Sequence, residues 1–509
     1  MSVTITKAVE SGTPVRATRR EWIALIALSL AVLLISVDAT VLDLALPAIS
    51  ADLTPSSTQL LWIIDVYSFV LAGLLITMGT LGDRIGRRKL LLIGAAGFGV
   101  ASAIAAWSVD PEMLIAARVL QGISGATLMP ATLGLIRSMF RDARQRTAAI
   151  GVWSAMAGGG AAGGPLIGGW LLEHYWWGAV FLINVPVMLA LIAVGPYLIP
   201  EFKDPNPGRF DLISAVQSMV AIVPIVYAVK ETAVHGPTAE TAIIGLVGAL
   251  VGWLFIRRQR ILKDPLLDLE LFANRHFSTA VLTNLMSVFA LAGVLFFGSQ
   301  YLQLVLGKSP LEAGLLMLPG TSASIVTSLL AAWLVRRWQP RLVLSAGLAV
   351  SAIGAAAMVF LQADAGVVLF MLAFVLVGFG VGIGLTLTSD IVVSSVPADR
   401  AGAASAVSES AYELGIALGV AILGSVVMSI FRGDVDVSDL ADADKAVAQD
   451  TLGSAVDVAH TLPAETGQAL LESAQAGFVS GMHVAAILVA VLLIANGALV
   501  MRMLRPHRS

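Results

Sequence analysis

The chain has 509 residues, of which 57% are hydrophobic and only 13% charged, with 31 Lys and Arg against 34 Asp and Glu. Ordinary soluble domains run at roughly 45–50% apolar and about 25% charged, so a soluble enzyme or a basic nucleic-acid binder is excluded in favour of a chain built for lipid. With no cysteine there is neither a disulfide framework nor a thiolate metal site.

A spanning helix needs about 20 mostly apolar residues. Fourteen such runs begin near Trp22, Leu60, Leu90, Met113, Ala148, Gly178, Leu212, Thr241, Phe277, Ala313, Leu342, Val367, Gly402 and Phe478. The expected fold class is an all-α polytopic membrane protein. Residues 1–20, with Lys7, Arg16, Arg19 and Arg20, precede an apolar run too long for a signal-peptide core and read as a cytoplasmic tail. Lys and Arg are retained on the cytoplasmic side of short loops. With the N-terminus inside, the outer loops hold only Lys230, Lys308, Arg432 and Lys445, so both termini are expected in the cytoplasm.

Helix 1 contains "SVDATVLDLALP", with Asp38 and Asp43 in an otherwise apolar run. Asp38 lies about 24 Å along the axis from Trp22 at ~1.5 Å per residue. A carboxylate at that depth costs at least about 2.5 kcal/mol on insertion scales and must face a cavity or a partner. Asp43 is about 140° further round the helix, which gives it a separate task, structural or in an outer vestibule. On helix 2, Asp65 follows Trp62 by three and precedes Phe69 by four, so an acid stands between two rings on one face. Rings attract cations by about 0.5–2 kcal/mol each, although Trp62 reads equally as an interfacial anchor.

In the second loop, "GTLGDRIGRRK", Gly79, Gly82 and Gly86 permit a tight turn, and Asp83 can accept from N–H groups at a neighbouring helix N-terminus as a latch. Arg84, Arg87, Arg88 and Lys89 hold the loop at the cytosolic face, or serve topology alone. Arg118 on helix 4 is the sole basic residue left within the membrane and needs an acceptor, either Gln121 or a backbone carbonyl of helix 5. Helix 5 carries "GGGAAGGPLIGG", whose Gly160, Gly164, Pro165, Gly168 and Gly169 allow close approach and a bend. A phosphate-cradling loop is excluded there, since no strand precedes it and no Lys follows.

After helix 10, "AAWLVRRWQPRLVL" weakly repeats the basic second loop. Two six-helix halves related as parallel repeats follow from this: residues 21–200 and 277–503, joined by two inserted helices at 201–276, with a long outer loop at 431–477 and a second cytoplasmic tail at 504–509. On helix 13, Glu409 and Glu413 are one turn apart, about 6 Å on one face. Two like charges that close cannot both ionise cheaply in low dielectric, so one holds a proton and releases it when a cation enters. Tyr301 and Tyr412 join Trp62 and Phe69 as pocket candidates. The outer loop is acidic, either a solvated cap or a gate, and its Ala-rich second part reads as two short helices broken at Pro463. The six His residues are scattered without ligand spacing, so no metal is expected.

The motif G-x-x-x-D-R-x-G-R-R at Gly79, Asp83, Arg84, Gly86, Arg87 and Arg88 resembles the signature between helices 2 and 3 of the major facilitator superfamily. "RVLQGISGA", with Arg118 and Gln121, resembles its second motif, and the helix 5 glycine run resembles the motif of its antiporters. D-x-T-V-x-D-x-A-L-P is similar to the helix 1 motif of the fourteen-helix drug:proton antiporters, although these usually have Asn where Asp43 stands. "LLWIIDVYSFVLAG", "FLINVPV" and "SAVSESAYELG" look like segments of the QacA, LfrA and SmvA type of multidrug and quaternary ammonium pump. The resemblance implies that Arg118 takes part in proton transfer, with structural pairing as the alternative, and that the protein is a monomer of the bacterial cytoplasmic membrane.

Together these readings give a proton-driven antiporter exporting lipophilic cations by alternating access, with Asp38, Asp65, Glu409, Glu413 and Arg118 coupling proton to cargo. Helix 10 lacks the acid some relatives carry, which points to monovalent cargo. Export of one specific cationic or neutral metabolite is the alternative. No nucleophile, base and orienting group assemble in the sequence, so neither an enzyme nor a cofactor is expected, and the partners are small cations, protons and the bilayer.

Overall fold

The computed structural model describes residues 16–203, 211–236, 238–262, 265, 267–363, 366–396, 401–438 and 440–504. Its long helices are α1 (Arg19–Leu53), α2 (Ser57–Ile85), α3 (Arg87–Ala106), α4 (Pro111–Met139), α5 (Ala143–His174), α6 (Asn184–Leu198), α7 (Leu212–His235) and α8 (Ala239–Gln259). The second set is α9 (Arg275–Gln300), α10 (Pro310–Leu334), α11 (Pro340–Ala357), α12 (Val367–Ser394), α13 (Ala401–Asp434) and α14 (Ala464–Met503). Among the described residues, 13 spans are long and apolar enough to cross a membrane, every one of the fourteen helices but α5 supplying one.

Local chemistry sets the helix starts. Ser56 and Ser309 close capping boxes with Gln59 and Glu312 at the starts of α2 and α10. Pro111 and Pro340 occupy first-turn positions of α4 and α11, where a missing N–H costs nothing. Gly86, at φ 111°, is the whole turn between α2 and α3, a conformation L side chains rarely adopt.

Packing repeats between the halves. The pairs α1·α5, α2·α4, α3·α4 and α3·α6 recur as α9·α13, α10·α12, α11·α12 and α11·α14. Between halves, α2·α13 is matched by α10·α5, and α1 meets α9. This is the pattern of two parallel repeats about one axis. The inserted α7 packs on α8 and also on α2 and α13, covering the seam where the halves meet, with Phe69, Val226, Ala417 and Ala421 in its core. The α7–α8 hairpin is pinned at one end by Asp211, which pairs with Arg258 at 3.0 Å and caps Ser214. Partial burial works to raise the Asp211 carboxyl, but Ser214 and the Arg258 guanidinium together hold it below the usual carboxylate range.

Contacts between the halves gather at the end of the bundle where α1 turns into α2. There Ser299 donates to the Asp43 carbonyl at 2.7 Å and Gln303 to the Leu44 carbonyl at 3.1 Å. Leu61 meets Gly424, and Gly169 meets Pro310. The loop between α13 and α14 adds a tie: Asp450 accepts from the Ser57 backbone at 3.2 Å and from Arg432 at 3.0 Å. That loop corrects one expectation. It holds short helices Asp442–Ala448 and Leu452–Thr461, but beyond Pro463 the chain runs straight into α14 as one 40-residue helix, because no proline interrupts it.

Exposed Trp107, Trp170, Tyr175 and Trp176 girdle this end of the bundle. At the other, Arg257 lies 5.5 Å over Trp253 and Arg337 lies 4.6 Å over Trp333. Two aromatic belts bounding an apolar waist are what a bilayer's interfaces select.

Candidate functional site

Asp38 is 1% exposed, on α1. Its Oδ2 accepts from Arg118 Nη1 of α4 at 2.7 Å, and its Oδ1 from Asn184 Nδ2, the first residue of α6, at 3.0 Å. Arg118 also donates from Nε to the Ile63 carbonyl at 3.1 Å and from Nη1 to Gln121 at 3.1 Å, and its guanidinium lies 4.4 Å over the Tyr67 ring. Ser102 of α3 gathers the remainder, accepting from Gln121 at 2.9 Å and Asn184 at 3.3 Å. Among the described residues the acceptors of Arg118 are therefore Asp38, Gln121 and a carbonyl of α2. The helix 5 carbonyl raised by the sequence is not among them, since α5 turns its glycines to the opposite side of α1. A pair this deeply buried repays its desolvation only when hydrogen bonds satisfy it, and removing one partner costs about 3–5 kcal/mol.

The glutamates stand on the other half. Glu413 is buried, Glu409 and Tyr412 are partly exposed, and the two carboxylates feel one another's charge. Ser68 of α2 stands beside Glu413, whose Oε2 has no hydrogen-bond partner among the described residues. Tyr67 lies in the electrostatic reach of Asp38, Glu413 and Arg118. Tyr67 thus links Asp38 of the first half with Glu413 of the second. Asp43 is 6% exposed and in the field of Arg118, at the contact of α1 with α9.

Asp65 is fully buried on the stripe Leu61, Asp65, Phe69, which faces α13 from Gly424 to Ala417. Its neighbours Trp62 and Phe69 are 6.2 Å apart, with Phe69 closed into the α2, α7 and α13 seam. Tyr301 is fully buried: its hydroxyl donates to the Gln362 carbonyl at 2.9 Å and its ring lies 6.0 Å from Phe370. It packs the second half and offers no surface to a pocket, which corrects its place among the lining candidates. Among the described residues no three His or acidic side chains gather as a metal site.

Two motifs act mechanically. Gly160, Gly164 and Gly168 lie one turn apart and pack directly on α1, against Leu33 and Ser36, Thr40, and Val41, with Pro165 beside Gly314 of α10. A Cβ at Gly164 would collide with Thr40, so Gly164→Leu is expected to cost about 1–3 kcal/mol by overpacking. Gly159→Leu, where nothing stands within 4 Å, should be silent in the same thermal-melting measurement of purified protein. In the latch loop, the Asp83 side chain lies outside the described residues. Among the described residues Glu201 is an anion at the N-terminus of α3, accepting from the Arg88 and Lys89 backbones at 3.0 and 3.2 Å. Arg88 donates to the Pro196 and Ile199 carbonyls, Arg87 approaches Ser138 at 3.5 Å, and Arg84 is exposed.

Sequence reasoning missed Asn184, Ser102, Tyr67, Ser68 and Glu201 as parts of these networks. The signal was there for Asn184, an amide at the start of an apolar helix.

The model of the Major Facilitator Superfamily matches residues 28–420. The chain is 47% identical over 492 residues to "Multidrug efflux pump LfrA" of Mycolicibacterium smegmatis, covering 96% of this chain and 98% of that one. It is 39% identical over 471 residues to "Methyl viologen resistance protein SmvA" of Salmonella typhimurium, covering 92% and 94%. In fold it resembles a bacterial homologue of the human lysosomal transporter Spinster, solved inward-facing and unoccupied, with a TM-score of 0.68, 18% identity and coverage of 97% of this chain and 100% of that one. Repeated six-helix halves, a charged pair buried among the helices of the first half, and these matches lead to one conclusion: the chain belongs to the Major Facilitator Superfamily and is a multi-pass membrane transporter, not an enzyme.

Proposed function

We propose that this transporter is a proton-driven antiporter that exports lipophilic, monovalent cationic drugs, dyes and quaternary ammonium compounds across the bacterial cytoplasmic membrane. The carrying observation is the imbalance of buried charge: Asp38, Asp43, Asp65 and Glu413 are buried and Glu409 half-buried, against Arg118. An anionic substrate would meet repulsion there, whereas a cation or a proton neutralises the site. The names of its relatives, a multidrug efflux pump and a methyl viologen resistance protein, agree with cationic drugs as cargo.

Both termini lie in the cytoplasm on this reading, in line with the Lys and Arg distribution. The end where α1 turns into α2 is then external, and the contacts that tie the halves there correspond to an inward-facing state. Exchange proceeds as protons fall inward to the carboxylates and displace the cation outward. Each elementary charge moved through 100 mV is worth about 2.3 kcal/mol, so an electrogenic exchange draws on potential as well as on the pH gradient.

The test is uptake into proteoliposomes with an acid interior, using ethidium as a monovalent cation and methyl viologen as a divalent one. Ethidium is expected to accumulate and to leak away once a protonophore collapses the gradient. Accumulation indifferent to the gradient would overturn proton coupling, and preference for methyl viologen would overturn the monovalent assignment.

A further inference from the structure

Asn184 enters no mechanism described so far, yet it touches the central carboxylate. It is fully buried at the start of α6, and its Nδ2 donates to Asp38 Oδ1 at 3.0 Å and to Ser102 Oγ at 3.3 Å. Its own Oδ1 is buried with no hydrogen-bond partner among the described residues. Leaving a buried amide oxygen unsatisfied costs about 1–3 kcal/mol, and an apolar side chain would fit the same helix start without that cost. The unpaired acceptor therefore calls for an explanation.

We propose that Asn184 is a positioning residue that serves Asp38 in both protonation states. While Asp38 is ionised, Asn184 donates to it, as the structure has it. When Asp38 accepts a proton on Oδ1, the new O–H points at an NH2 group, two donors face to face, and the contact becomes repulsive. Rotating the terminal amide by half a turn puts Oδ1 in the place of Nδ2, where it accepts the Asp38 O–H. Ser102 accepts from both amides in the present arrangement, so its own proton can turn to the same oxygen. The turn exchanges an unpaired acceptor for an unpaired donor, so the two orientations are close in cost. An amide carries a donor and an acceptor at the same reach from a carboxylate, so half a turn exchanges one for the other.

The other charged and titratable groups facing Asp38 are fixed in kind. Arg118 of α4 can only donate, and Tyr67 of α2 lies beneath it; Asp43 shares α1, and Glu413 of α13, like Asp38, acts on Tyr67. On α5 the face against α1 is glycine, and α9 offers Ser299 and Gln303. None can accept the proton of the acid form and also donate to the carboxylate except Asn184, Ser102 through it, and the Tyr67 hydroxyl held under the guanidinium.

This inference rests on Asp38 taking up a proton, and infrared difference spectroscopy of the full chain in proteoliposomes, between alkaline and acid pH, separates the two. A carboxylic acid band that vanishes in Asp38→Asn reports the protonated acid. In Asn184→Leu that band is expected to move to higher frequency, because its O–H has lost an acceptor. Should Asn184→Leu fail to fold, the unmutated chain labelled with carbonyl-13C asparagine is measured instead: the amide band should fall on acidification, and the fall should be lost in Asp38→Asn. An Asp38 band present but unmoved in Asn184→Leu, or an amide band that stays put while the Asp38 band appears, overturns the role of Asn184 and leaves Asp38 standing. No Asp38 band at any pH overturns both.

Discussion

Asp38→Asn is expected to lose more than about nine-tenths of pH-driven cation transport, a drop that needs only ~1.4 kcal/mol of lost stabilisation at the limiting step. The amide keeps the size of the carboxylate and can still accept from Arg118, but it cannot take a proton. It also leaves Arg118 with no counter-charge in contact in a fully buried site, and such an orphan destabilises by about 3–5 kcal/mol. The two consequences can be separated. In Asp38→Asn with Arg118→Gln, no uncompensated charge remains, so the melting temperature should recover most of what the single change lost, while transport stays absent. Stability and transport recovering together would make the pair a structural tie. Full pH-driven accumulation of ethidium in Asp38→Asn would remove Asp38 from the mechanism.

Glu413→Gln is the second large effect, and of a different kind. The Glu413 Oε2 has no hydrogen-bond partner among the described residues, and the side chain sits on α13 beside Ser68 of α2, where the halves meet. Replacing it with a neutral isostere removes no ion pair, so the fold should tolerate the change. Its loss should appear in coupling: ethidium still equilibrates across proteoliposomes, but the accumulation ratio under a fixed pH gradient falls about tenfold, equal to ~1.4 kcal/mol. Glu409→Gln, at a half-exposed position, should fall less, since water already screens it. Equal ratios for Glu413→Gln and the unmutated chain would sink the coupling role.

The α7–α8 pair acquires a purpose from its position. A soluble-like role is excluded by the exposed apolar face of α8, with Ile243, Leu246, Leu250 and Trp253 open to lipid. Its partner α7 lies over the α2 and α13 seam and reaches it through Val226 against Phe69. Thr58 of α2 also hydrogen-bonds Glu231 of α7 at 3.3 Å. The seam between the halves is thereby covered by a helix belonging to neither half, and under the proposed alternating access it is the seam that would part.

What a single sequence determines here is whatever lipid punishes locally. Helix count followed from apolar length, because backbone groups in hydrocarbon must be satisfied within the helix, and the starts lie close to those observed except the last, where α14 begins at Ala464 and not near Phe478. The buried acids were legible for the same reason: Asp38, Asp65, Glu409 and Glu413 stood out as charges that lipid does not accept unless they have work or a partner. Partners were another matter. Asp38 meets Arg118 across 80 positions and Asn184 across 146, and helical periodicity carries no information about which faces of distant helices meet. Hence Tyr301 looked like a pocket aromatic and proved to be packing, and the place of Glu201 at the N-terminus of α3 was not foreseen. Composition and spacing decided that this chain crosses a membrane with charges buried in it; only tertiary packing decided which charge answers which, because that depends on helices far apart in sequence being brought side by side.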